Sequence, residues 1–320
     1  MKIVIPDDYQ DAVRTLDCFS KLSGHEVTIY HDSVKDVDTL AERFHEADAL
    51  LLIRERTPIT EPLLARLPRL KLISQTGKGM PHVDVAACTR HGVAIAAGGG
   101  TSLSTAELTW GLVIAGMRHI PQEVARLKAG QWQTTFGLGL SGRTLSIFGY
   151  GNIGRTMAGY GKAFGMRVLI WGREGSLTQA NADGFETATS KNELFEQADV
   201  LSLHLRLNDA TRGIVTAADL AKMKASALLV NTSRAGLIEV GALEHALKAG
   251  HPGFAAVDVY ENEPAVNDPL LSLENAICTP HLGYVEKDSY EMLFNAAFEQ
   301  VQAFAAGNPI NLVNPQVLKG

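Results

Sequence analysis

The sequence predicts an α/β protein of two doubly wound parallel-sheet domains with an interdomain cleft, and three observations carry that prediction. The chain has 320 residues, more than the roughly 250–300 at which a single hydrophobic core stops growing. Two series of short β-rich runs alternate with amphipathic stretches of helical length, the pattern of βαβ units in a parallel sheet. Between the two series lies Gly98-Gly99-Gly100, which reads as a hinge.

The first series comprises runs at 2–5, 26–30, 49–53, 71–74 and 93–96. After the hinge, Ser104-Thr-Ala-Glu107 has the spacing of a capping box and predicts a helix running toward Leu127. The second series follows at 144–148, 167–171, 199–203, 227–230, 255–257 and 276–279, and a last helix is expected from about 288 to 306, stopped by Gly307-Asn308-Pro309. The tail beyond it is too short to form a domain and must pack on something already built. Residues 1–100 with 286–320 are therefore expected to form one domain and 101–285 a second, with two chain crossings and a cleft between them.

A hydrophobic fraction of 46% and a charged fraction of 20%, with no charge block or low-complexity tract, predict a chain folded throughout. A net charge of −6 offers no footprint for nucleic acid or for an anionic membrane surface. The longest apolar stretch, 108–117, is far short of the ~20 residues that span a bilayer, and the N-terminus reads as a first strand. A cytoplasmic, non-membrane protein is expected. Cys18, Cys88 and Cys278 lack metal-ligand spacing and read as reduced thiols, and no other metal-ligand cluster stands out.

The clearest motif is Gly149-Tyr150-Gly151-Asn152-Ile153-Gly154, between a predicted strand and a helix over 152–164 that ends at Gly165. Gly149 permits a tight turn, Gly151 lets the backbone approach a pyrophosphate, and Gly154 allows close helix–strand packing. The helix N-terminus supplies amides and partial positive charge for that pyrophosphate. At the end of the next strand, where an NAD site expects an acid for the adenosine ribose, stand Gly172 and Arg173. An arginine without the carboxylate favours NADP(H). NAD(H) is the alternative, since Glu174 would reach the ribose if the strand end shifted, leaving Arg173 a solvated loop cation.

From Arg54 to Val313 the chain resembles the D-isomer-specific 2-hydroxyacid dehydrogenases, in particular the glyoxylate/hydroxypyruvate reductases. Five ordered segments carry the resemblance: Gly149–Gly154, Leu203-His204-Leu205 with Thr211, Val230-Asn-Thr232-Ser233-Arg234, Asp258-Val-Tyr-Glu-Asn-Glu263-Pro264 and Thr279-Pro-His281-Leu-Gly283. The resemblance implies flavodoxin-like and Rossmann-like domains, a homodimer built on the hinge helix, and a small 2-oxo or 2-hydroxy acid as substrate. It adds Thr105, Tyr150, Asn152, Ile153, His204, Leu205, Thr211, Thr232, Ser233, Asp258 and Gly283 to the expected cofactor-binding set. It also implies that Arg54, Lys78 and Gly79 contact substrate, through the amides of the 77–79 loop and the charge of Arg54. Gln75 and Thr101 depart from the pattern of the phosphoglycerate dehydrogenases, which weakens the case for a phosphorylated substrate.

The chemistry makes sense of the same residues. Reducing a 2-oxo acid needs a cation for the carboxylate, a proton donor for the developing alkoxide, and a partner that keeps the donor charged. Arg234 suits the first because guanidinium grips a carboxylate bidentately. His281 suits the second because imidazole exchanges protons near neutral pH. Glu263 suits the third because an adjacent carboxylate stabilises imidazolium and fixes its tautomer. Other readings stay open: His204 also suits a structural histidine, Asp258 a turn cap, Lys78 a solvated cation, and Trp110 and Trp132 core or dimer packing. A non-catalytic NAD(H)-sensing protein of the same fold is the alternative function.

Overall fold

The computed structural model describes residues 1–319, and the chain divides into two compact units. One is Met1–Thr101 with the segment from Glu286 onward, the other Ser102–Val285.

In the first unit, strands β1 (Lys2–Ile5), β2 (Glu26–Ile29), β3 (Ala49–Leu52), β4 (Leu72–Thr76) and β5 (Ala94–Gly98) form an all-parallel sheet in the order β2-β1-β3-β4-β5. That is the flavodoxin-like order. Every residue of β3 is buried, as a central parallel strand covered on both faces requires. On one face Val4, Leu50, Leu52, Ile73 and Ile95 pack with Leu40 and Phe44 of the helix Val37–Phe44. The helix Lys287–Ala305 joins the same unit: Ser74 Oγ donates to Ala297 O at 2.9 Å, and Phe294 and Phe298 are fully buried. The tail then runs along β5, where Ala97 N donates to Asn311 O at 3.1 Å, Val313 N to Ile95 O at 2.8 Å, and the buried Asn314 amide accepts Ile95 N and donates to Val93 O. This covers an edge that would otherwise present unpaired backbone groups.

In the second unit, β6 (Thr144–Phe148), β7 (Arg167–Trp171), β8 (Glu186–Thr187), β9 (Val200–Leu203), β10 (Leu228–Asn231), β11 (Phe254–Val257) and β12 (Ala276–Cys278) form a parallel sheet in the order β12-β11-β10-β9-β6-β7-β8. The chain works outward from β6 to β8, then restarts at β9 on the other side of β6. That reversal leaves a crevice beyond the carboxyl ends of β6 and β9, where open α/β sheets bind ligands.

Two expectations are corrected. The helix after the hinge begins at Leu103, with Ser102 at its N-cap and no side-chain cap bond there, so Ser104 is buried inside the first turn and Glu107 lies exposed on the surface. It also stops at Met117. His119 takes a left-handed conformation (φ +52°) and a second helix, Ile120–Lys128, starts with Pro121 in its first turn, the position that tolerates the missing proline N–H. Among the described residues, no helix is long and apolar enough to cross a membrane.

Candidate active site

The glycine turn beyond β6 is shaped as its sequence requires. Gly149 stands at φ +101°, and a Cβ there would lie 2.6 Å from the carbonyl oxygen of His204. A Cβ on Gly154 would overlap the carbonyl of Gly149, whereas Gly151, the N-cap of the helix Asn152–Ala163, has open space before it. An open, amide-rich helix start behind a turn that only glycine can make fits a dinucleotide pyrophosphate. Asn152 is exposed at that start and Ile153 packs partly on the core.

The side chain of Tyr150 is engaged within its own unit. The ring is buried against Phe185 and its hydroxyl donates to Asp183 Oδ2 at 2.8 Å. Burial and the Asp183 carboxylate push the phenol up to about 12. Tyr150 can therefore line the cradle only through its backbone. At the end of β7, Arg173 is the N-cap of the helix Glu174–Ala182; both Arg173 and Glu174 are exposed, and Gly172 faces the side chain of Ser176.

Four residues of the expected cofactor set have hydroxyls that hold loops in place. Thr211 Oγ1 donates to Arg206 O at 2.7 Å and accepts Asn208 N at 2.9 Å. Ser233 Oγ donates to Leu205 O at 2.7 Å, and Leu205 in turn packs beside Gly149. The buried Thr232 hydroxyl pairs with Thr109 at 2.7 Å, and Thr105 Oγ1 donates to Gly283 O at 2.8 Å. His204 Nε2 lies 2.8 Å from Ser202 Oγ, and burial pushes the imidazole down to about 4, so at neutral pH the ring is uncharged.

Arg234, Glu263 and His281 lie a few residues beyond the ends of three neighbouring strands, β10, β11 and β12. His281 Nδ1 is 2.7 Å from Glu263 Oε2, and Tyr260 N donates to Glu263 Oε1 at 3.0 Å. Burial opposes the charge on Glu263, but the His281 hydrogen bond, the Tyr260 amide and the Arg234 guanidinium outweigh it and hold the carboxyl below its ordinary range. An ionised carboxylate only accepts, so Nδ1 carries the proton and Nε2 is the atom able to give or take one. Asn231 Nδ2 donates to Arg234 O at 2.9 Å and Arg234 Nη1 to Ser233 O at 2.6 Å, which fix the arginine at the strand end.

Asp258 is fully buried and grips the histidine turn from both sides. Its Oδ1 accepts Thr279 Oγ1 at 2.6 Å and Leu282 N at 2.7 Å, and its Oδ2 accepts Gly283 N at 2.9 Å. Even with these donors, burial raises its pKa. Its carboxylate serves the turn, as a cap does, and not an open pocket.

In the first unit, Arg54 follows β3 at φ +53°, with its N–H on Thr76 Oγ1 at 2.8 Å. Its guanidinium lies against Gly77. Gln75 is fully buried and its amide donates to the carbonyls of Arg54 and Gly79, shaping the loop. Gly77 N donates to Gly98 O at 2.9 Å, so that amide is already engaged; Lys78 and Gly79 are exposed beyond it. Glu55, absent from the expected set, lies against Gly79: a Cβ there would be 2.6 Å from Glu55 Oε1. Among the described residues one grouping with metal-ligand chemistry occurs, Asp8 with Asp11 and His31, but both Asp8 oxygens already accept the amides of Ala12 and Val13.

Comparison with known proteins agrees with this architecture. The family described as D-isomer specific 2-hydroxyacid dehydrogenase, NAD binding domain, matches residues 110–283. The chain is 35% identical over 322 residues to a D-3-phosphoglycerate dehydrogenase of Methanocaldococcus jannaschii, covering 98% of this chain and 60% of that protein. It is 36% identical over 295 residues to a glyoxylate reductase of Aeropyrum pernix, covering 88% of this chain and 87% of that one. A crystal structure of a phosphoglycerate oxidoreductase from Vibrio cholerae superposes with a TM-score of 0.94 at 56% identity, covering 96% of this chain and 99% of that one. The chain thus spans about 60% of the length of one of these relatives and nearly all of the others. Its two parallel sheets, glycine cradle and matched motifs make it a member of the D-isomer specific 2-hydroxyacid dehydrogenase family.

Proposed function

We propose that the protein is a nicotinamide-dependent oxidoreductase that reduces a small 2-oxo acid to a D-2-hydroxy acid, or runs the reverse. The observation that carries this reading is the Glu263–His281 pair, 2.7 Å apart, beside Arg234 at the carboxyl edge of the sheet that holds the glycine cradle. Nδ1 is committed to Glu263, which leaves Nε2 to protonate the carbonyl oxygen, while the Arg234 guanidinium grips the substrate carboxylate. The nicotinamide supplies the hydride when bound. Gly149, Gly151 and Gly154 with the start of the helix Asn152–Ala163 would hold its pyrophosphate, and His204, uncharged at neutral pH, would add no positive charge there.

NADP(H) is the favoured cofactor and NAD(H) the alternative. Arg173 and Ser176 at the start of one helix suit a 2′-phosphate, while Glu174 on the same turn is the feature that favours the unphosphorylated ribose. Lys78 and Gly79 would receive the substrate carboxylate through their amides, with Arg54 adding charge. Because Gln75 and Thr101 depart from the phosphoglycerate dehydrogenase pattern, glyoxylate or hydroxypyruvate is favoured over a phosphorylated acid. Ile120, Val124, Leu127, Trp132 and Phe136, the last 99% exposed, form an apolar stretch suited to a second copy of the chain. Sedimentation equilibrium of Phe136→Asp should then show monomer. Three free cysteines suit a reducing cytoplasm.

The test is absorbance at 340 nm with glyoxylate, hydroxypyruvate, pyruvate, longer 2-oxo acids and 3-phosphohydroxypyruvate, each with NADPH and NADH. Turnover is expected on a small unphosphorylated acid with NADPH preferred. Preference for NADH would overturn the assignment of Arg173, and cofactor binding without turnover on any acid would favour a dinucleotide-sensing protein.

A further inference from the structure

Tyr260 bonds to Glu263 directly and to the turn that carries His281. Its backbone N–H donates to Glu263 Oε1 at 3.0 Å, and its hydroxyl donates to the carbonyl oxygen of Thr279 at 3.0 Å. The same carbonyl accepts the backbone N–H of His281 at 3.0 Å. That bond closes a three-residue turn about Pro280, whose ring pre-sets the φ such a turn needs. His281 itself stands at φ +52°, a conformation that a non-glycine residue keeps only where its surroundings over-determine it. Asp258 supplies part of that restraint from the far side of the turn, through Thr279 Oγ1, Leu282 N and Gly283 N.

We infer that Tyr260 is the positioning residue of the pair, joining the loop that carries Glu263 to the turn that presents His281 so that the carboxylate and the imidazole stay in register. The contacts form a closed circuit: Glu263 Oε1 to the Tyr260 amide, the Tyr260 hydroxyl to Thr279 O, Thr279 O to His281 N, and His281 Nδ1 back to Glu263 Oε2. The ring of Tyr260 packs partly against the unit's apolar core. Burial and nearby Cys278, Asp258 and Asp268 push its phenol well above the ordinary range, so the hydroxyl stays a donor at every pH where the protein would work. Neither end of the circuit can drift without stretching a bond to Tyr260, through its backbone N–H at the Glu263 end and through its hydroxyl at the Thr279 end.

The inference rests on the reading of His281 as proton donor, and the experiment separates the two. Tyr260→Phe keeps the ring and the backbone amide and removes only the hydroxyl. With the best 2-oxo acid, kcat is expected to fall about three- to tenfold, the worth of one hydrogen bond, with KM and cofactor Kd unchanged. A second readout needs no turnover: the low-field proton resonance of the His281 Nδ1–H, assigned by its loss in His281→Gln, should shift or broaden in Tyr260→Phe. A Phe variant with wild-type kcat and an unmoved resonance overturns the inference, even if it melts lower. A moved resonance in an enzyme inactive on every 2-oxo acid keeps Tyr260 as the brace and removes the proposed chemistry.

Discussion

Replacing Gly149 by alanine tests the cradle at the point where backbone geometry leaves least room. The residue stands at φ +101°, and an L-residue in left-handed space costs about 1–2 kcal/mol. The added Cβ would lie 2.6 Å from the carbonyl oxygen and 2.9 Å from the carbonyl carbon of His204, and 2.9 Å from Leu205 Cδ2. Two of these three atoms are backbone and cannot rotate aside, so overpacking adds about 1–3 kcal/mol. Together the two effects come to roughly 2–5 kcal/mol. At about 2–4 °C per kcal/mol for a unit of this size, the melting temperature should fall by about 4–20 °C. If the turn presents the amides of the helix start to a pyrophosphate as proposed, displacing it at Gly149 would cost a hydrogen bond to a charged acceptor, about 1.5–3 kcal/mol, so NADPH should bind at least about tenfold more weakly. Gly159 is the control. It lies on the same unit's helix Asn152–Ala163 with nothing within 4 Å of an added Cβ, and alanine there should gain up to about 1 kcal/mol of helix propensity without touching cofactor affinity. Thermal melts of both variants, with fluorescence titration by NADPH, provide the comparison. A Gly149→Ala protein that melts and binds NADPH like wild type would refute the argument.

Two further outcomes follow from the geometry. His204 and His82 are each pushed by burial from 6.5 to about 4; the unfolded chain takes protons that the folded one refuses, so stability is present above pH 6.5 and lost as pH falls toward 4. A plot of melting temperature against pH should rise with pH through that window, and the slope should flatten in part for His204→Gln; an unchanged slope in the variant would exclude His204 as a cause. Arg234→Ala should lower kcat/KM for the 2-oxo acid by at least ~10²-fold with an unchanged melting profile, and near-wild-type kinetics would remove the guanidinium from the site.

Much of the architecture is legible in the sequence, because buried parallel strands are short continuous apolar runs and almost every one of them is bounded by a turn signal. β8 escapes that logic, being only Glu186–Thr187. The interruption at His119 was signalled by Pro121, but the amphipathic pattern ran through it toward Leu127. The capping-box spacing at Ser104 and Glu107 matched by chance, since Ser102 holds the N-cap position.

The site was legible in its residue types and hidden in its side-chain directions. The Glu263–His281 bond closes across 18 residues and suits the chemistry that their types suggest. Tyr150, Thr105 and Asp258 were expected at the cofactor, yet their polar atoms are used by Asp183, Gly283 and the 279–283 turn, partners 33, 178 and 21–25 residues away. No local pattern encodes such a direction. Tyr260 was missed for the same reason: between Asp258 and Glu263 it reads as an ordinary aromatic, and only the folded chain brings its hydroxyl to Thr279.

Nε2 of His281 as the proton donor is the centre of the proposed chemistry, and one measurement addresses it directly. Steady-state kcat/KM of His281→Asn, with the best 2-oxo acid at saturating cofactor, should fall at least ~10²-fold below wild type while the Kd for the cofactor stays the same. A variant that turned over at close to the wild-type rate, with the cofactor bound normally, would contradict it.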